Sequence, residues 1–446
     1  MSKFSAMSQV MERRIMPIAN KMGQQRHLAA IRDAFITLLP INLMGGLAAI
    51  IKSPPVTEST TNGVLLAWKQ FVDTNGFILD WLYAFTLGAM SLYICLGVTH
   101  FLCRHYKLNS FIPLLFSLVG FFLTVTEPLK LGWDAKTLSF GYIDGKGIIP
   151  ALIIAIITTE LYQLMKRKNF GKITMPPGVP PSLSDVFASL FPGMILITIY
   201  ILIFILFRSF DTSFAGFLFT KLAPAFKAAD SLGFVILITV LTHFLWFFGI
   251  HDAALSGIVG PIRDGNLSIN ATAKIAGEVL PTIYTTPFWV YFVAIGGCGA
   301  VLGLALVLMF SKSKQLKTLG KVGFLPALFG ISEPLIFGIP LMLNPIFFVP
   351  FIFAATLNAV LTFLLMDWGI VAKTFSMVSW NMPSFLGAFF STLDWKAPVL
   401  VIVLIVMDTV IYYPFLKVYD RQLYSREVVM DTENIKKGSD PHSGNS

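Results

Sequence analysis

The sequence predicts an all-α, polytopic membrane protein of about ten transmembrane helices, and three observations carry that expectation. Hydrophobic residues make up 55% of the 446, against 13% charged, and the mean hydropathy is +0.75. Apolar runs long enough to cross a bilayer recur along the whole chain. Lys and Arg collect in short segments between those runs, which is how orientation is encoded in a membrane protein. The net charge of +9 therefore belongs to orientation, and no soluble basic domain is left to bind nucleic acid. Cys95, Cys103 and Cys298 lie in or beside apolar segments, so no disulfide framework is expected. The N-terminus, with Glu12, Arg13, Arg14, Lys21 and Arg26, does not resemble a cleaved signal peptide.

Taken in order, apolar runs at 33–51, 82–103, 111–126, 147–165 and 186–207 form a first group. Arg13, Arg14, Lys21 and Arg26 precede the first, Arg104 and Lys107 follow the second, and Lys166, Arg167, Lys168 and Lys172 follow the fourth. This alternation puts the N-terminus inside. Residues 52–81 and 128–146 mix Lys with Asp and Glu, as outside loops do. The segment RSFDTSFAGFLFTKLAPAFKAAD (208–230) intersperses charges among apolar residues and is expected to be an amphipathic linker at the interface. Further runs follow at 232–250, 283–310, 345–366 and 397–416, while 322–344 and 371–392 are broken by Gly, Pro and polar residues. Lys417, Arg421 and Arg426 place the C-terminus inside as well. Residues 421–446 read as a cytoplasmic tail, disordered in the polar DTENIKKGSDPHSGNS.

One stretch resists the count. Five crossings leave residue 208 outside, yet the acid-free SKSKQLK (311–317) asks to be inside, so 232–310 must contribute an odd number of crossings. Only two clean spans are visible there. Residues 251–281 look too polar for a simple helix, with Asp252, Arg263, Asp264, Asn266, Lys274 and Glu278. A re-entrant or tilted element around His251 and a missed crossing both reconcile the count. The chain thus divides into a scaffold of conventional helices (1–207), the linker (208–230), a half that collects the broken segments (231–420) and the tail (421–446).

The site is expected in that second half, because an ionisable group at membrane depth is expensive and irregular backbone survives there only inside protein or beside water. His251 lies in WFFGIHDAAL, and Glu333 in GISEPLIFGIPLMLNP, where Gly330, Pro334, Gly338, Pro340 and Pro345 forbid an uninterrupted helix. Trp246 and Gly249 place a large ring and a flexible backbone beside the imidazole. Asn344, Trp380 and Asn381 add amides and a second indole. Indole faces stack on the C–H face of a sugar ring, while Asn, Glu and His hydrogen-bond its hydroxyls. A plainer alternative stands beside each residue. His251 would be a core histidine bonded to a carbonyl, Asp252 a residue facing an aqueous loop, Glu333 half of an interhelical salt bridge, and Trp380 a member of an interfacial belt.

FGIHDAAL together with GISEPLIFGIPLMLNPIFFVPF resembles the membrane IIC component of the bacterial phosphoenolpyruvate-dependent sugar phosphotransferase system, in its lactose/cellobiose/diacetylchitobiose branch. The segments at 17–46, PPGVPPSLSDVFASLFPG (176–193) and WNMPSFLGAFF (380–390) carry the same resemblance. It implies an N-terminal half that forms a homodimer and a C-terminal transport half with two re-entrant hairpins. It also implies sugar contacts at His251 and Glu333 and aromatic ones at Trp246 and Trp380, with Glu333, the one catalytic position, near the 6-hydroxyl that is phosphorylated; Gly249, Asn344 and Asn381, from the residue chemistry above, complete the expected substrate-binding set. The partners implied are the sugar and a phosphorylated IIB protein on a separate chain, with IIA, HPr and enzyme I behind it, in the bacterial cell membrane. No cofactor or metal is called for. Asp252 departs from the pattern, since many relatives carry Gly after the His.

Other motifs are missing. No phosphocysteine-bearing soluble domain is visible, the Gly-Lys pairs at 145, 171 and 320 are never followed by Ser or Thr, and no H-E-x-x-H occurs. A built-in ATPase and a metalloprotease therefore lack their residues. An ion-coupled secondary sugar transporter and an intramembrane enzyme without transport remain as alternatives.

Overall fold

The computed structural model describes residues 25–54, 56, 60–125, 141–171 and 186–438, with side chains to residue 430. Arg13, Arg14, Lys21, the loop 128–140 and the PPGVPPSLSD portion of the central motif lie outside the described residues. Those described are helical, with no strand among them. Among the described residues, five helices are long and apolar enough to cross a membrane, or up to seven if each of two bent pairs is one span.

The first half is built from α1 (Arg26–Thr37), α2 (Leu39–Lys52), α3 (Gly63–Ala84), α4 (Met90–His105), α5 (Phe111–Val125), α6 (Ile148–Arg167) and α7 (Leu190–Arg208). The run expected at 33–51 is the pair α1–α2, bent by 47° where Pro40 enters the first turn of α2. Proline removes a ladder hydrogen bond and crowds the preceding turn. The loop expected at 52–81 is instead mostly α3, started by Asn62, whose Oδ1 accepts from Val64 N and Leu65 N. The charges that suggested a loop, Lys69, Asp73 and Asp80, are too few to outweigh its apolar content. Packing in this half rests on small residues and interhelical hydroxyls: Gly97 meets Ala34, Gly120 lies under the Tyr200 ring, and Thr99 bonds Ser117 at 2.7 Å.

The second half begins with α8 (Phe214–Ala229) and α9 (Leu232–Phe247), which meet at 66°. Ser213 and Ser231 cap them, each side chain accepting a first-turn N–H. Then α10 (Ala253–Ile275) corrects the view that 251–281 is too polar for a helix, because it is 23 residues long. Its polar side chains face protein, not lipid. Asn266 Nδ2 donates to Tyr284 O at 2.8 Å, and Asn270 Nδ2 to Thr282 O at 2.7 Å and Thr374 O at 2.8 Å. Ser268 Oγ accepts from Gly145 N at 2.9 Å. Through these bonds α10 ties the two halves together.

The run 283–310 is likewise not one span. It contains an extended stretch, a π-helical turn (Phe288–Val293), a tight turn through Gly296, Gly297 and Gly299, and the short α11 (Leu302–Leu308). All three glycines have φ between +83° and +98°. The rest is α12 (Lys314–Leu328), α13 (Glu333–Gly338), α14 (Phe348–Asp367), α15 (Ser384–Thr392) and α16 (Lys396–Gly438). α16 runs far into the tail expected to be disordered. No Gly or Pro interrupts it between Pro414 and Gly438, and its carboxylates hold the start of α12. Asp420 accepts from Lys312 N and Ser313 N, and Glu427 from Ser313 Oγ and Lys314 N, at 2.6–2.9 Å.

Candidate functional site

α9 stops because Gly249 takes φ +85°, with Gly249 N bonded to Trp246 O and Ile250 N to Leu245 O, both at 2.9 Å. α10 starts four residues later, Leu255 N reaching Asp252 O at 2.8 Å. His251 and Asp252 occupy the turn between the two helix ends. The Trp246 ring is 4.9 Å from the His251 ring, centroid to centroid, and His251 Nδ1 is 2.8 Å from Asp252 Oδ1. With Nδ1–H donated to the carboxylate, a neutral imidazole is an acceptor at Nε2. The His251 side chain is 60% exposed.

Glu333 opens α13 one residue after Ser332 and is exposed. The turn that delivers it begins at Gly330, φ +78°. A Cβ on Gly297 would stand 2.5 Å from Ser332 Cβ, so the glycine-rich turn presses directly on the residue before Glu333. Beyond α13, Leu343 N bonds Phe247 O at 3.1 Å, so the segment that follows Glu333 is pinned to the end of α9 just before the His251 turn. Three breaks in helical structure therefore converge: the α9–α10 turn, the turn around Cys298, and the α12–α13 break.

Trp380 lies in a bend fixed by Tyr291, whose hydroxyl donates to Ser379 O at 2.6 Å and accepts from Ser379 N at 3.2 Å. A Cβ at Gly330 would be 3.5 Å from Trp380 O, so this bend abuts the turn that presents Glu333. The structure thus groups Trp246, Gly249 and His251 at the end of α9 and sets the Trp380 backbone beside the turn that presents Glu333. Asn381 is exposed, and no hydrogen bond joins its amide to the others. Asn344 Oδ1 accepts from Ile346 N at 3.1 Å in its own turn, a turn anchored to the end of α9 by Leu343 N and Phe247 O at 3.1 Å.

A cavity of about 660 Å³ lies elsewhere, between the halves beside α8, lined by Lys146, Phe219, Asp230, Asn266, Asp367 and Lys373 among others. Two features escaped the sequence reading. Asp252 is the hydrogen-bond partner of His251, a pairing that adjacency in sequence alone does not require. Asp408, buried inside the apolar run 397–416, accepts from Asn358 Nδ2 at 3.0 Å; the signal was an Asp and an Asn, each alone among aliphatic residues.

Comparison with known proteins gives a consistent result. The family described as "Phosphotransferase system, EIIC" matches residues 32–355. The chain is similar to the lichenan permease IIC component of Bacillus subtilis, 31% identical over 94% of this chain and 95% of that one. It is similar also to the lactose-specific EIICB component of Staphylococcus haemolyticus, 33% identical over 92% of this chain and 70% of that protein. Among solved structures, it resembles the transporter ChbC, the IIC component from the N,N'-diacetylchitobiose-specific phosphotransferase system, with a TM-score of 0.85 and 29% identity over 94% of this chain and 99% of that one.

Proposed function

This chain belongs to the EIIC family of the phosphotransferase system, a membrane sugar permease of the cellobiose/lactose type, and from that premise we propose that it carries a β-linked disaccharide such as cellobiose. The lichenan permease relative supports a β-glucosyl substrate. The observation that carries the reading is the placement of His251 and Glu333 each at a helix break, with the Trp246 ring 4.9 Å from His251 and the Trp380 backbone beside the turn that presents Glu333. His251, Trp246, Gly249, Glu333, Trp380, Asn381 and Asn344 bind the sugar in this proposal, the imidazole Nε2 accepting a hydrogen bond from a sugar hydroxyl and the indoles covering the ring faces.

Sugar enters from outside, the 231–420 half moves against a scaffold dimerised through 1–207, and the 6-hydroxyl is presented inside to a phosphocysteine on a separate IIB chain. Both termini are cytoplasmic in this arrangement, and the broken segments are re-entrant hairpins. The hydroxyl oxygen attacks phosphorus, the O–P bond forms as the P–S bond breaks, and the cysteine leaves as thiolate. The hydroxyl proton passes to Glu333, which orients the nucleophile. Transfer of this kind asks mostly for alignment and charge stabilisation. The phosphorylated product gains charge and cannot return through an apolar barrier, so uptake is one-way.

Titration of the purified protein with cellobiose, lactose, N,N'-diacetylchitobiose and glucose tests the substrate class. Tightest binding of cellobiose is expected. A preference for glucose, or no binding of any disaccharide, contradicts it.

A further inference from the structure

Behind Asp252 lies a set of polar groups that the sugar contacts do not use. A narrow crevice of about 10 Å³ is lined by Asp252, Ser256 and Arg263 along one face of α10, by Thr242 of α9, and by Tyr284 and Trp289. Arg263 is only 9% exposed and its Nε has no partner; Tyr284 is fully buried, and its hydroxyl has none either. The guanidinium lies 5.2 Å from the Trp289 ring centroid. A guanidinium keeps its charge in a protein and, once buried, needs a countercharge. Two carboxylates are placed near it: Asp252 lines the same crevice, and Asp264 follows Arg263 directly in α10. Thr286 Oγ1 donates to Asp264, and His251 holds one oxygen of Asp252. A polar space of this volume has room for about one water.

We propose that Arg263 is a positioning residue for sugar binding: through one water shared with Tyr284, it holds the Asp252 carboxylate in the orientation that keeps His251 turned toward the sugar. The inference rests on the reading that His251 contacts the sugar. Its physical basis is a chain of hydrogen bonds in a poorly solvated space, where each member fixes the next. The imidazole can rotate, and a carboxylate beside it fixes the ring only if the carboxylate is itself held. The competing role for Arg263 is plain packing, its stem and guanidinium bracing α10 on Trp289.

The test uses the full chain in lipid nanodiscs and cellobiose as probe. Dissociation constants and unfolding midpoints are measured for wild type, His251→Ala, Asp252→Asn, Arg263→Gln, Arg263→Lys and the Asp252→Asn/Arg263→Gln double variant. Arg263→Gln is expected to weaken cellobiose binding by about tenfold, with Arg263→Lys recovering most of the loss by keeping the charge. In the Asp252→Asn background, Arg263→Gln should add no further loss. An additive loss in the double variant, or wild-type affinity in Arg263→Gln, overturns the proposal. Should Arg263→Gln not fold, Tyr284→Phe reads the same linkage, since it removes only the hydroxyl that shares the water. A loss that vanishes in the Asp252→Asn background supports the linkage, and an additive loss or none sinks it. Unchanged affinity in His251→Ala defeats the underlying site reading instead, so the two failures are told apart.

Discussion

In the proposed site Glu333 and His251 divide the labour, and the division is measurable at the level of single residues. Glu333→Gln keeps the shape and most hydrogen bonds but cannot take a proton. Phosphorylation by phospho-IIB is expected to fall by roughly a hundredfold or more, while sugar affinity changes by less than about tenfold. Equal losses in both make Glu333 a binding residue only, and full activity removes it from the chemistry. His251→Ala withdraws an acceptor from a sugar hydroxyl, which costs about 1–3 kcal/mol, or roughly tenfold to a hundredfold in affinity. The purified protein should remain monodisperse. Aggregation, with unaltered affinity in whatever survives, would instead make it a core histidine. Both residues were legible in the sequence because an ionisable group stands out among aliphatic neighbours. Arg263 was visible only as a reason to doubt a helix, since nothing in one dimension says that a charge three turns beyond Asp252 shares a crevice with it.

Among the elements, the helix breaks matter most, and their glycines are separable by experiment. Gly330 has φ +78° with its nearest neighbour, Trp380 O, 3.5 Å from a would-be Cβ, whereas Gly297 has φ +98° and would drive a Cβ to 2.5 Å from Ser332. Gly330→Ala should therefore cost only the left-handed strain, about 1–2 kcal/mol. Gly297→Ala adds a collision with the Glu333 turn, so uptake and thermal stability in detergent should fall further than for Gly330→Ala; the reverse order contradicts this account of the turn. In α16, Asp408→Asn preserves a partner for the Asn358 amide and Asp408→Leu does not, so a lower unfolding midpoint is expected for the Leu variant. The apolar runs at 111–126, 147–165 and 345–366 announced α5, α6 and α14 to within three residues at each end. α10 was missed for a physical reason: a hydropathy reading treats every side chain as if it faced lipid, while Asn266, Ser268 and Asn270 face backbone groups of the same protein. The bend at Pro40 and the carboxylates that extend α16 are likewise tertiary facts, written in the sequence as single residues with no periodic signal.

For the whole molecule, the first half displays an apolar surface on α3, where Phe71, Phe77, Ile78 and Trp81 are exposed, and a carrier that moves needs a scaffold that is held. In a background without Cys95, Cys103 and Cys298, cysteines placed on the early helices should cross-link between subunits, while those beside Glu333 should change reagent accessibility on addition of sugar. Inter-subunit cross-links at the Glu333 segment, with none in the first half, contradict the division into scaffold and carrier. The proposed division rests on the sequence pattern, in which conventional apolar runs gather before 208 and the Gly- and Pro-broken ones after it. The measurement that bears most directly on the account is uptake of labelled cellobiose into vesicles with and without phosphorylated IIB. Sugar should accumulate only with phospho-IIB and be recovered inside as its 6-phosphate. Accumulation of unmodified cellobiose without phospho-IIB, driven by an ion gradient, contradicts the account.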